Sequence, residues 1–293
     1  MQLSLLGTFT STLTGLILAG FYMLNKKVSH AGKPLPVILW IFVCHLPIFV
    51  LWVVIQPPTY ITPLYFLPGL GVMILTTGGN LLTIRALSLS PFSLMIPVLG
   101  LSPVFTTLAG IPLLGEWPST TQWLGIVLAV LGVLWLYAPP ERPWDIFSFW
   151  PQFIRERGGP YMALAALLWA LSAPMDKLAL RQADPQFHAL FVFTGFVLTL
   201  FILLTVRGEL RDQPVMRSYW PMLMLTGAIG AVTYMVQLLA LQNTPAGAFE
   251  AIKRVMSQIL ALALGYFFFN EQITKPKLIG IAILSVGVPL IVL

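Results

Sequence analysis

Apolar residues in this chain come in unbroken runs, separated by short breaks rich in proline, glycine and charge. The runs lie near Leu3 to Leu24, Pro36 to Ile55, Thr62 to Ile84, Pro91 to Leu114 and Ser119 to Ala138. A second set follows near Pro160 to Leu180, Phe187 to Val206, Ser218 to Leu241, Ala246 to Phe269 and Thr274 to Leu293. Crossing about 30 Å of hydrocarbon takes roughly 20 apolar residues in a helix, which is the length of each run. The alternation of a membrane β-strand is missing, so the pattern predicts helices and not a barrel. The expected fold is all-α, a multi-pass membrane protein of about 10 transmembrane helices whose principal partner is the lipid bilayer.

Between the two sets lies the most polar stretch, Pro139 to Gly159. It holds Glu141, Arg142, Asp145, Arg155, Glu156 and Arg157, with Trp144, Phe147, Phe149 and Trp150 interleaved. Aromatic and basic side chains both suit headgroup depth, so the stretch reads as an interfacial linker. The organisation is then five spans in 1–138, a linker in 139–159 and five spans in 160–293.

The two fives match each other in order. Arg85 to Pro91 lies opposite Leu239 to Pro245 at an offset of 154 residues. Glu116 meets Glu271, Gly125-Ile126 meets Gly280-Ile281 and Gly132-Val133 meets Gly287-Val288 at an offset of 155. Asn25-Lys26 lies opposite Asp176-Lys177 at 151. A duplicated unit with an odd number of spans enters the membrane from opposite sides, so the copies are inverted repeats. That symmetry lets outward-open and inward-open states have similar energies.

Composition agrees with the pattern: 58% of the 293 residues are hydrophobic, 9% are charged and the mean hydropathy is +0.88. Soluble domains carry roughly 25% charged residues. The net charge of +6 is spread singly between apolar runs, without the stripe or arm that nucleic acid requires, so no nucleic-acid partner is expected. One cysteine, Cys44, excludes an internal disulfide and any cysteine zinc site. Met1 to Leu24 lacks the features of a cleaved signal and reads as the first retained span. Of the basic residues near span ends, 12 fall in the odd connections, against Lys177 and Arg181 in the even ones. By the positive-inside rule both termini then face away from the cytoplasm.

Ionisable groups within spans are the leading candidates for function, because hydrocarbon tolerates them poorly. Glu250, Lys253 and Arg254 begin the ninth span at spacings that set the acid against both cations on one helical face. They line a cavity, or else form a structural ion pair with the cations snorkelling to headgroups. Asp176 and Lys177 end the sixth span after Trp169 and Pro174. Pro174 is expected to kink the helix and free a backbone carbonyl; the alternative is that the pair marks the water boundary. Asn25 and Lys26, their repeat mates, share that ambiguity. Asn80 and Thr83 in the third span correspond to Tyr234 and Gln237 in the eighth, and these touch either a solute or a neighbouring helix. His45 reads as a packing residue, and Glu116 and Glu271 as interfacial turn caps. Gly125, Gly132, Gly227 and Gly230 allow close helix approach. No phosphate loop, hydrolase or metal motif is present, so neither enzyme chemistry nor a cofactor is expected.

Ala248-Phe249-Glu250-Ala251-Ile252-Lys253-Arg254, followed by Gly265 and Phe269-Asn270-Glu271, resembles the EamA branch of the drug/metabolite transporter superfamily. Trp169-Ala170-Leu171-Ser172 leading to Met175-Asp176-Lys177-Leu178-Ala179 is similar to a subgroup of that branch. The resemblance covers nearly the whole chain. It implies two EamA-like repeats around a central cavity, with the fifth and tenth spans at the periphery and available for a homodimer. It also implies a plasma-membrane secondary transporter that moves an amino acid, sugar or related small-molecule solute by alternating access, with a coupling ion or proton. A nucleotide-sugar or sugar-phosphate carrier and a non-transporting membrane assembly protein are the alternatives. In two places the chain departs from the family. It lacks the usual basic residues at the amino terminus and between spans two and three. Val98-Leu99-Gly100 also stands where the second repeat has Ile252-Lys253-Arg254, which makes the cationic site one-sided.

Overall fold

The computed structural model describes residues 4–28, 32–90, 99–136, 138–139, 141–142, 144–147, 151, 154–210, 218–269 and 274–292. Its helices are α1 (Leu5–Val28), α2 (Pro34–Val43), α3 (Leu46–Ile55), α4 (Phe66–Leu89, entered through a 3-10 turn at Pro63–Tyr65), α5 (Ser102–Leu114), α6 (Thr120–Leu136), α7 (Gly159–Leu180), α8 (Pro185–Val206), α9 (Trp220–Asn243), α10 (Ala246–Phe269) and α11 (Lys275–Val292). Among the described residues, seven stretches are long and apolar enough to cross a membrane, and one of these, Pro34–Ile55, is made of α2 and α3 together. Helix α10 has 24 residues and adds another crossing length, while α5 and α6 are shorter, at 13 and 17 residues.

The expected continuous second span is broken at Cys44-His45. Pro47 has no N–H for the carbonyl four residues back. The chain tightens there instead, with His45 N donating to Phe42 O, three residues back, at 3.1 Å. In the expected fourth span, residues 91–98 lie outside the described residues and α5 begins at Ser102.

The packing is an exchange between repeats. Helix α1 lies against α9 and α10, and its repeat mate α7 lies against α4 and α5. The first helix of each five thus packs on the third and fourth of the other. The second spans, α2–α3 and α8, pack together, and so do the fifth, α6 and α11. Two inverted five-helix repeats produce this pairing, because each element then finds its partner across one pseudo-twofold axis.

Hydrogen bonds sort the connections onto two faces. Asp184, between α7 and α8, accepts from Thr59 N at 2.6 Å and Tyr60 N at 2.9 Å, in the connection before α4. Ser4 Oγ donates to Asn243 O at 3.3 Å, which sets the start of α1 on that same face. On the opposite face Gly158 N donates to Ser90 Oγ at 3.0 Å, and Ser90 Oγ donates to Glu156 at 2.7 Å.

Polarity is inverted relative to a soluble protein. Leu67, Ile74, Val54, Ile202 and Val206 are exposed, while Ser102, Thr106, Asp176, Glu250 and Arg254 are buried. An apolar exterior with polar groups turned inward is the solution a lipid solvent favours.

The fifth and tenth spans meet through glycine. A Cβ on Gly125 of α6 would lie 2.7 Å from Ile291 N and 2.8 Å from Gly287 O of α11, so the two backbones touch. Small residues allow such van der Waals approach where no hydrophobic effect operates between helices. This glycine seam is occupied within the chain. Gly125→Leu is expected to push backbone against backbone and lower stability by about 1–3 kcal/mol, the usual cost of overpacking. Gly20→Ala, whose Cβ would meet nothing within 4 Å, should be tolerated. Thermal unfolding in detergent compares the two.

Candidate functional site

A central cavity of about 220 Å³ opens where the repeats cross. Its wall includes Trp169 and Ser172 of α7, Thr76 and Asn80 of α4, Tyr234 and Gln237 of α9, and Glu250, Lys253 and Arg254 of α10. Phe21, Phe42, His45 and Phe193 supply aromatic surface. Seven of the candidates named from sequence therefore share one space: Asn80, Trp169, Tyr234, Gln237, Glu250, Lys253 and Arg254. Leu99, the repeat mate of Lys253, lines the same cavity, so the charge is indeed one-sided.

The α10 cluster is a closed network. Glu250 pairs with Lys253 through one carboxylate oxygen and with Arg254 through the other, at 2.9 Å. Ser102 Oγ of α5 donates to Glu250 Oε1 at 2.9 Å and accepts from Arg254 Nη2 at 3.1 Å. The Lys253 ammonium also sits 4.8 Å from the centre of the Phe249 ring. Two cations on one carboxylate leave a single positive charge at the cavity wall. Gly15 of α1 makes room for this turn, since a Cβ there would stand 2.6 Å from Lys253 O.

Asp176 lies behind the wall. It is wholly buried and accepts hydrogen bonds from Tyr234 Oη at 2.9 Å, His188 Nε2 at 3.0 Å and Gln237 Nε2 at 3.4 Å. Tyr65 Oη meets the other imidazole nitrogen of His188 at 2.9 Å. Pro174, two residues earlier, leaves α7 unbroken. The carbonyl it orphans, Ala170 O, accepts from Thr106 Oγ1 of α5 at 3.0 Å.

Lys177 points elsewhere, into a vestibule of about 590 Å³ lined also by Glu116, Trp117, Gln122, Arg181 and Gln242. It pairs with Glu116 and donates to Thr244 O at 2.6 Å. Glu116 also accepts from Ala246 N, the first residue of α10, at 2.7 Å. Its aim comes from Gly115, which ends α5 at φ 70° with Gly115 N on Ile111 O, an αL cap, and Glu116 N on Gly110 O. Glu116 thus caps a helix of the other repeat and not its own turn. A carboxylate is favoured there by the helix dipole. Ser172 and Ala173 line the cavity while Lys177 lines the vestibule one turn further along α7. In the same way Glu250 lines the cavity, and Gly247 and Ala248 the vestibule, on α10. The latch of Glu116, Lys177 and Thr244 therefore stands between the cavity and the even face.

The remaining candidates stay apart. Asn25 donates to Phe21 O in its own helix at 3.0 Å; the Lys26 side chain and Glu271 lie outside the described residues. Thr83 donates to Gly79 O at 2.7 Å, within its own helix, and accepts from Trp169 Nε1 of α7 at 3.4 Å. His45 is buried, with Nδ1 2.8 Å from Ile41 O and its ring stacked on Phe193, yet it also reaches the cavity wall. Sequence reading missed Ser102, Tyr65 and His188. A serine and a tyrosine in apolar runs carry no signal; His188 did carry one, as an ionisable residue in the first turn of a span.

Among known proteins, a model of the EamA-like transporter family matches residues 5–138 and again residues 157–293. The chain belongs to that family and is a membrane transporter of the drug/metabolite type. No match was found among curated proteins. One crystal structure of a protein is similar over 97% of this chain and 94% of its own, with a TM-score of 0.73 at 14% identity, which is a likeness of fold alone.

Removing the acid from the α10 network should be severe. Glu250→Ala strands Arg254 in a buried site, for which a cost of about 3–5 kcal/mol is expected. Adding Arg254→Met to that variant should recover a large part of the loss. Denaturant unfolding of the single and double variants measures both.

Proposed function

We propose that this member of the EamA-like transporter family is a secondary transporter that holds a small metabolite in the central cavity and moves it by alternating access. The observation that supports the reading is the cavity itself. It lies between the inverted repeats, takes its wall from both, and combines Lys253 and Arg254 with Trp169, Asn80, Tyr234 and Gln237. At about 220 Å³ it is smaller than typical ligand pockets, which run from roughly 300 to 1,000 Å³. That favours an amino acid or comparable solute over a nucleotide sugar. The single net positive charge favours a solute carrying a carboxylate or another anionic group. Trp169 and the phenylalanines would cover its apolar part.

Alternating access needs a gate on each face. The latch of Glu116, Lys177 and Thr244 is our candidate for the gate on the even face, because it joins the end of α5, the end of α7 and the start of α10 across both repeats. Releasing it would separate the elements between the vestibule and the cavity.

Uptake into proteoliposomes is the direct measurement, with a panel of labelled amino acids, sugars and sugar phosphates. A solute of the panel that binds should also raise the melting temperature of the purified protein. Lys253→Ala is expected to weaken uptake of an anionic or zwitterionic solute by about tenfold or more, equivalent to ~1.4 kcal/mol. Unchanged uptake at normal expression would remove Lys253 from the solute site.

Orientation follows from the same framework. Lys177 and Arg181, the two cations of the even face, are held by Glu116 and by Leu114 O. The basic residues of the odd face then set topology, and both termini are expected outside the cytoplasm. A reporter fused after Leu293 that is active only in the cytoplasm should be silent; activity there would reverse the assignment.

A further inference from the structure

The transport reading leaves the Asp176–His188 pair without a part. Both side chains are wholly buried and in contact at 3.0 Å, and neither lines the cavity. A carboxylate and an imidazole sealed in the interior of a membrane protein are expensive to bury, and such pairs mark ion pathways and proton relays. We propose that this pair is a binding site for a transported proton, linked to the solute in the cavity through Tyr234 and Gln237.

The surrounding hydrogen bonds accommodate both protonation states without moving a heavy atom. With neutral His188 protonated on Nε2, that nitrogen donates to Asp176 and Tyr65 Oη donates to Nδ1. With the proton added, Nδ1 donates and the same tyrosine hydroxyl turns to accept, since a phenol does either. Asp176 keeps its donors from Tyr234 and Gln237 throughout. Binding a proton turns a pair of net charge −1 into a neutral one.

The other ionisable groups nearby have partners of their own. On α7, Lys177 is held by Glu116 and Thr244 O. Before α8, Asp184 is engaged by Thr59 and Tyr60. Helix α9 offers Tyr234, and the turn before α4 offers Tyr65. On α10, Glu250, Lys253 and Arg254 bind one another. Helices α3 and α5 carry no ionisable side chain. Among the described residues no group of three His, Cys, Asp or Glu side chains that could hold a metal ion occurs.

Coupling has a physical route. Tyr234 places its hydroxyl on Asp176 Oδ1 while lining the cavity, and Gln237 likewise touches Asp176 and the cavity. A solute that draws on either residue changes how well Asp176 is solvated by donors, and the proton occupancy of the pair responds. Reciprocally, protonation changes the affinity for solute.

This inference rests on the transport reading for its coupling, but the proton site can be measured without any solute. Infrared difference spectra of the purified protein in lipid, recorded between acid and alkaline pH, should contain a carboxyl or imidazole band that is lost in Asp176→Asn and in His188→Gln. Tyr65→Phe, which keeps the ring and removes the hydroxyl that serves both states, should shift the midpoint of that band. A wild-type spectrum unchanged in all three folded variants would overturn the site, as would the absence of any such band. In vesicles loaded with a pH-sensitive dye, inward movement of a panel solute should change the luminal pH with the wild type and not with Asp176→Asn. Solute movement with no change of luminal pH overturns the coupling. If no panel solute moves while the band is present, the proposed solute class fails and the proton site stands.

Discussion

A bilayer offers no water to a buried charge or an unpaired backbone group, and the arrangement of this protein follows from meeting that condition internally. Glu250 and its two cations, with Ser102 between them, form a set whose members each satisfy another. Asp176 collects three donors from two other helices. Even the carbonyl freed by Pro174 is taken by Thr106. The contacts made by Ser102, His188, Tyr234, Gln237 and Thr106 cross between helices, so these polar groups bind the bundle together as well as being sheltered by it.

The inverted repeats supply the frame in which those contacts form. First helices pack on the third and fourth of the opposite copy, and the fifth helices close on each other through glycine. The frame is symmetric, but its chemistry is not. Lys253 stands where the first repeat has Leu99, and Tyr234 where it has Asn80; Asp176 with its network stands where it has Asn25, bonded only to its own helix. A symmetric frame can occupy two states of similar energy, while the charge on its cavity wall is one-sided.

Several residues changed meaning between sequence and structure for one reason. Spacing along a helix reports contacts within that helix, so the face shared by Glu250, Lys253 and Arg254 was legible. It says nothing of what stands opposite. Ser102 comes from α5, His188 from α8 and Tyr65 from the turn before α4, and their relation to Glu250 or Asp176 exists only after packing. Adjacent in sequence, Asp176 and Lys177 looked like one site; successive positions on a helix point about 100° apart, and they serve different places. Glu116 looked like a local cap and instead caps the helix of the other repeat.

The sequence by itself determined the solvent, the helical class, the two repeats and the family, because hydropathy, run length and internal repetition are properties of the chain read in order. It also singled out seven residues of the cavity wall, since polar groups within apolar runs have few uses. Tertiary structure alone decided which of those groups meet. It separated the cavity from the vestibule, hid Asp176 behind Tyr234, and turned Lys177 and Glu116 into a latch. Those outcomes depend on the angle and depth at which one helix meets another, quantities set by side-chain packing across the pseudo-twofold axis and carried by no single segment.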